Sequence, residues 1–170
     1  FNTKLDYTIN KKNLYLKNTS IAKIDYTKES SNIKNNSNIL QNLTNPFYQY
    51  SNDFILHIPI RKKIYNIAST TNYNRTPQNL EVEPGQFTEI FNQSIPFQQL
   101  TQYATLNNFN TNNSISFLTK IGNLEQQIKI GTEYINKALR TSIDKIYNQT
   151  KYQLNDSFQN NITWRNNRFY

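Results

Sequence analysis

The chain contains no cysteine and no methionine, one tryptophan, one histidine and three glycines. Without cysteine there is no disulfide framework, no thiolate metal site and no cysteine nucleophile. Three glycines are too few for the loops that cradle phosphates in the familiar nucleotide sites. The single histidine, His57, lies in an apolar segment with no cysteine or carboxylate beside it, a setting for packing rather than metal ligation. No apolar run approaches the roughly 18 residues of a membrane-spanning helix, and the first residues lack the charged-then-apolar pattern of a signal peptide. The 11 acidic residues are scattered, and no nucleophile elbow is present. The expectation is a non-enzymatic protein with no catalytic residue, metal, cofactor, small-molecule substrate or transmembrane segment.

The scarce residues share a property at the level of the code. Against 29 Asn, 20 Ile and 17 Thr stand 4 Ala and 1 Val. Every codon for Ala, Val, Gly, Trp, Met and Cys contains guanine, and the abundant residues can be written without it. This composition fits an AT-rich genome, such as that of an organelle, symbiont or plasmid. Sequons such as Asn18-Thr19-Ser20 and Asn42-Leu43-Thr44 follow from the abundance of Asn and Thr.

What is present is a basic, ring-rich chain. Its 170 residues suit one domain. The apolar share, 36%, is low, yet rings make up 14%, with 12 Tyr and 10 Phe. Disordered chains are poor in rings, so a small core that leans on a partner is expected. The net charge of +8 and pI near 9.6 favour a polyanionic partner, nucleic acid or an anionic membrane surface.

Along the chain, short alternating β-prone segments occupy residues 1–28, with Lys11-Lys12-Asn13 as a turn. Residues 29–53 read as a Ser/Asn-rich loop, with one helical turn near Ile39-Leu40. Phe54–Ile67 carries the strongest strand signal. A polar tip at 70–78 and a return strand, Leu80-Glu81-Val82-Glu83, complete a long hairpin over 54–83, closed by turn chemistry at Pro84-Gly85. From Ile121, apolar residues recur at spacings of three, four and seven, which predicts an amphipathic helix over about 123–154. The expected class is therefore α+β: a small β-rich basic core over 1–115, then a long helix and a basic-aromatic tail over 116–170.

Cations and rings gather in two places. Arg61-Lys62-Lys63 leads toward Tyr73, Asn74 and Arg75, and the tail interleaves Trp164, Arg165 and Arg168 with Phe169 and Tyr170. Arginine pairs with phosphate bidentately, and rings stack on bases, so these nine residues, Arg61 to Arg168, are candidate RNA contacts. The stretch Ile58-Pro59-Ile60-Arg61-Lys62-Lys63-Ile64-Tyr65-Asn66-Ile67, followed by Asn74-Arg75 and Leu80-Glu81-Val82, resembles the central hairpin of the tenth small-subunit ribosomal protein family. The resemblance covers residues 58–82 and implies a hairpin threading between rRNA and neighbouring ribosomal proteins. The expected function is a structural component of an organellar ribosome, in the mitochondrial matrix and organelle-encoded. The alternative is a soluble accessory subunit of a respiratory-chain or ATP synthase complex acting as a protein–protein scaffold.

Overall fold

The computed structural model describes residues 1–34, 38–83, 97–154 and 158–170. They form one antiparallel sheet: β1 (Asn2–Lys11), β2 (Leu14–Lys34), β3 (Asn38–Ile60), β4 (Lys63–Glu83), β5 (Gln99–Ile121), β6 (Leu124–Tyr147), β7 (Thr150–Gln153) and β8 (Asn160–Phe169). Each strand from β1 to β6 pairs with the next in sequence. β7 lies on Asp144–Tyr147 and β8 on Thr132–Thr141 of the same strand, β6. They are two stretches of one seventh strand, interrupted between Gln153 and Asn160.

The expected helix is absent: residues 124–147 are strand β6, and the class is all-β rather than α+β. Of the loop expected over 29–53, residues 29–34 are strand in β2 and 38–53, with the helical turn expected near Ile39-Leu40, are strand in β3. The boundary placed at 115/116 falls inside β5. The hairpin over 54–83 turns at Arg61-Lys62, so the polar segment 70–78 is mid-strand in β4. Pro84-Gly85 lies outside the described residues.

Ile, Thr and Tyr fill these segments, and branched or ring-bearing side chains suit a pleated surface. Two-residue turns supply the β1–β2, β3–β4, β5–β6 and β6–β7 reversals. Arg61 (φ 56°) and Gly122 (φ 62°) take up left-handed backbone at the β3–β4 and β5–β6 turns. Asn148 and Gln149 both have positive φ (46° and 60°), the pattern of a type I′ hairpin.

The central strands are 21 to 24 residues long, about four times the usual strand. Their hydrophobic core is small by comparison. Val82, Phe97, Leu100 and Leu154 are buried, with Ile39, Leu80, Ile143 and Phe158 packed against them. Among the described residues twenty-six large hydrophobic side chains are exposed. Leu100→Ala should destabilise the fold by about 2–4 kcal/mol, because so small a cluster cannot refill the cavity; denaturant unfolding followed by far-ultraviolet circular dichroism measures this and should show a β-type spectrum throughout.

Candidate functional site

Antiparallel partners lie directly opposite one another and share a face, and faces alternate along a strand. The continuous register therefore sorts the sheet into tiers, each named here by its β2 residue. The Leu16 tier runs Ile9, Leu16, Leu56, Ile67, Ile115, Ile130 and is apolar on every strand. The Leu14 tier on the same face holds Leu14, Ile58, Tyr65, Phe117 and Ile128, with Lys11 at the edge. Further from the two-residue turns, this face carries Tyr7, Phe54 and Phe169 in one tier, Leu5 and Tyr134 in the next, and Tyr50, Tyr73 and Phe109 in the Ala22 tier. It is called the front face. Rings meet on it, Tyr65 with Phe117 at 5.3 Å and Phe109 with Tyr134 at 6.0 Å between centroids.

Charge divides the two faces over the same stretch. In the Leu16, Asn18 and Ser20 tiers the front face has no charged residue. The four interleaved back-face tiers hold Lys129, Lys17, Asp6, Asp53, Glu133, Arg168 and Lys4. Lys4 pairs with Asp6 at 2.8 Å, Thr19 donates to Asp6 at 2.7 Å, and Arg168 reaches Glu133 at 3.7 Å.

The front face does contain polar side chains in its middle, and they bond mainly to one another. Asn52 donates to Asn18 Oδ1 at 2.9 Å and to Ser20 Oγ at 2.8 Å. Ser69 donates to Asn113 Oδ1 at 2.6 Å, Asn113 donates to Thr111, and the Thr71 and Thr111 hydroxyls lie 3.2 Å apart. These groups need less from water than isolated amides would.

Beyond the Ile24 tier the polarity of the two faces exchanges. The back face gains its larger apolar side chains, Phe47, Leu106, Leu139 and Ile162 in the Asp25 tier, then, past a polar Thr27 tier, Leu43, Leu80 and Ile143 beside Glu29, and Val82, Leu100 and Tyr152 beside Lys145. The front face there carries Thr44, Asn79, Ser142, Asn42, Glu81, Thr101 and Asp144. The buried cluster around Leu100 sits on this far part of the back face. At the boundary, the hydrogen bond from the Lys23 ammonium, 3.0 Å away, holds the Asp25 carboxyl below the usual carboxylate range. A depressed carboxyl stabilises the fold at neutral pH, and that contribution is lost as pH falls through its folded value; full exposure keeps it small.

The sequence-predicted residues fall into two places: Tyr73 shares a tier and face with Arg165, and Asn74 with Trp164, but the basic clump is far from both. Arg61 and Lys62 form the β3–β4 turn and Lys63 opens β4. Asn74, on the same strand, lies eleven residues on, about 35 Å away at ~3.3 Å per residue. Tyr73, Arg75 and Arg165 are on the front face, whereas Asn74, Trp164 and Arg168 are on the back. The tail is part of the sheet. Trp164 lies under the Lys137 ammonium at 5.7 Å, and Tyr170 makes two backbone bonds to Gly131. His57 stacks on Tyr15 and bonds Asn66, which donates to Ser116 at 3.2 Å. Among the described residues no group of three His, Cys, Asp or Glu side chains could hold a metal ion, and no helix is long and apolar enough to cross a membrane.

No protein-family model matches this sequence, and no curated protein matches it. The candidate element that sequence reasoning missed is the front-face belt. Its signal is the alternation in Phe54-Ile55-Leu56-His57-Ile58, Tyr65-Asn66-Ile67 and Ile128-Lys129-Ile130.

The Tyr170 ring covers Gly131, where an added Cβ would stand 2.5 Å from a ring carbon, and its hydroxyl donates to Asn112 at 2.7 Å. Gly131→Ala must push the ring off and should weaken the β6–β8 edge by about 1 kcal/mol, the worth of one hydrogen bond. Hydrogen exchange should show faster amides in β8 and unchanged amides in β3 and β4.

Proposed function

We propose that this chain forms part of the wall of a membrane-spanning antiparallel β-barrel, with its front face on lipid and its back face on a polar interior. The observation that carries this reading is the exchange of polarity at the Ile24 tier. From Leu14 to Ile24 the front face is charged only at its margins, by Lys11, Arg165 and Arg75, and its inner tiers are uncharged, whereas the back face carries charge in every tier; further along the same strands the larger apolar side chains lie on the back face and polar ones on the front. A sheet in water throughout has no reason to change sides. A sheet whose outer face leaves hydrocarbon and enters water does.

The dimensions agree. Leu14 to Ile24 is eleven residues, the upper end of the roughly 9–11 of a tilted membrane strand. At ~3.3 Å per residue and a tilt of about 40° it spans roughly 25 Å, the height of the apolar band of such barrels. Rings in the Ala22 tier, Tyr50, Tyr73 and Phe109, stand where an aromatic girdle belongs. The meander with two-residue turns at one end is the matching topology. The absence of a spanning helix concerns helices alone. β1 and the β7/β8 strand are each paired on one side only among the described residues, and a barrel pairs both such edges, with each other or with further strands. An rRNA-binding role is supported less well, because Arg61, Lys62 and Lys63 lie far from the other candidates and those others divide between the two faces.

The absence of native cysteine makes single-cysteine labelling clean. In lipid vesicles, Ile67→Cys and Ile115→Cys on the front face should resist a charged maleimide, while Ser51→Cys and Asn72→Cys on the back face should react. Equal labelling of both sets would sink the proposal. Ile67→Lys should cost about 2 kcal/mol or more in lipid, as charge on a lipid-facing position does, and Asn72→Lys much less, measured by denaturant titration in vesicles.

A further inference from the structure

The basic clump Arg61-Lys62-Lys63 acquires a place in the fold. Arg61 and Lys62 are the β3–β4 turn, Lys12 is in the β1–β2 turn, and Lys11, Lys63 and Lys120 flank the three turns at that end of the sheet. All six side chains are exposed, and none forms an ion pair with another described residue. Glu125, opposite Lys120, is the single carboxylate among them. Six cations less one carboxylate is five of the chain's net eight positive charges. At the opposite end, Lys28, Lys34, Lys145 and Lys151 are balanced by Glu29, Glu81, Glu83 and Asp144.

These cations border the apolar belt directly. Ile60 adjoins Arg61, and Ile121 and Leu124 bracket the third turn. The Lys63 ammonium lies 5.3 Å over the Phe117 ring, a member of the Leu14 tier. Successive turns are two strands apart, about 10 Å along the rim. Long basic side chains at the margin of a hydrocarbon-facing belt carry their charge into the headgroup layer.

Resting on the barrel-wall reading, we infer that this end of the sheet is a cationic rim that binds the phosphates of anionic lipid headgroups in the leaflet it borders. Each basic side chain at such a surface contributes about fivefold to affinity. The structure thereby fixes an orientation: the two-residue turns face an anionic leaflet, and the charge-balanced end faces away.

The test uses the full chain diluted from denaturant into vesicles of phosphatidylcholine alone or mixed with phosphatidylglycerol. The half-saturating lipid concentration is read by flotation. Phosphatidylglycerol should lower it at least tenfold. K12Q/K62Q, at the rim, should remove about 25-fold of binding to the mixed vesicles and leave binding to phosphatidylcholine unchanged. The charge-matched pair K28Q/K34Q, at the far end, should change neither. Equal losses in the two pairs would show a net-charge effect and overturn the rim. Displacement by inorganic phosphate, but not by chloride at equal ionic strength, would assign the site to free phosphate and also overturn it. Binding to both vesicle types without lipid preference leaves the barrel wall standing and removes the rim. Binding to neither removes both.

Discussion

A strand of more than twenty residues passes through more than one environment, and its backbone must be bonded in all of them. Here the antiparallel ladder does this, pairing the backbone across β1 to β8 without help from side chains. In hydrocarbon nothing else can satisfy those groups. The ladder therefore frees each face to match whatever lies outside it. The front face does so with an uncharged belt at one end and polar residues at the other, and the back face takes the complementary pattern.

That division explains the packing. The buried cluster of Val82, Phe97, Leu100 and Leu154 lies where the back face is apolar, so it can shield itself from water on the inside. Over the belt, Leu16, Leu56, Ile67, Ile115 and Ile130 have no partner above them among the described residues, and in the proposed barrel wall lipid would cover them. The polar residues inside the belt, Asn18, Asn52, Thr71, Thr111 and Asn113, bond to one another and so tolerate the same surroundings. The low apolar share, which at first suggests a small core dependent on a partner, becomes intelligible when part of that partner is solvent of another kind.

Part of this was legible in the sequence. The strand character of residues 1–28, the Lys11-Lys12-Asn13 turn and the extended backbone on either side of Arg61-Lys62 follow from alternation and β-propensity, although Phe54–Ile67 is two strands and not one. β6 misleads for a physical reason. Its apolar residues alternate as Ile128 and Ile130 on the front, then resume one residue out of phase as Leu139 and Ile143 on the back. A two-residue period with such a slip produces gaps of three, four and seven, the signature of a helix. The end of β2 and the far half of β3 were hidden as a loop by their Ser and Asn content and by Pro46. The clump at Arg61-Lys62-Lys63 was visible as charge but not as a turn, because neither Arg nor Lys announces positive φ. The tail rings were visible too, but the Gly131–Tyr170 contact that binds them to β6 depends on a pairing the sequence does not display.

The slip between the two halves of each long strand also bears on how such a gene tolerates change. Within the belt, loss or gain of one codon would turn every residue beyond it to the other face, setting Lys and Asp against lipid and Ile against water. Loss or gain of two codons would preserve the faces and only shorten or lengthen the strand. Compensation could come from a second single-codon change further along the same strand, and the segment around Phe47, Pro46 and Pro77, where the faces already exchange, is where it would disturb least. Length variation among descendants of this gene is thereby constrained by parity rather than by size.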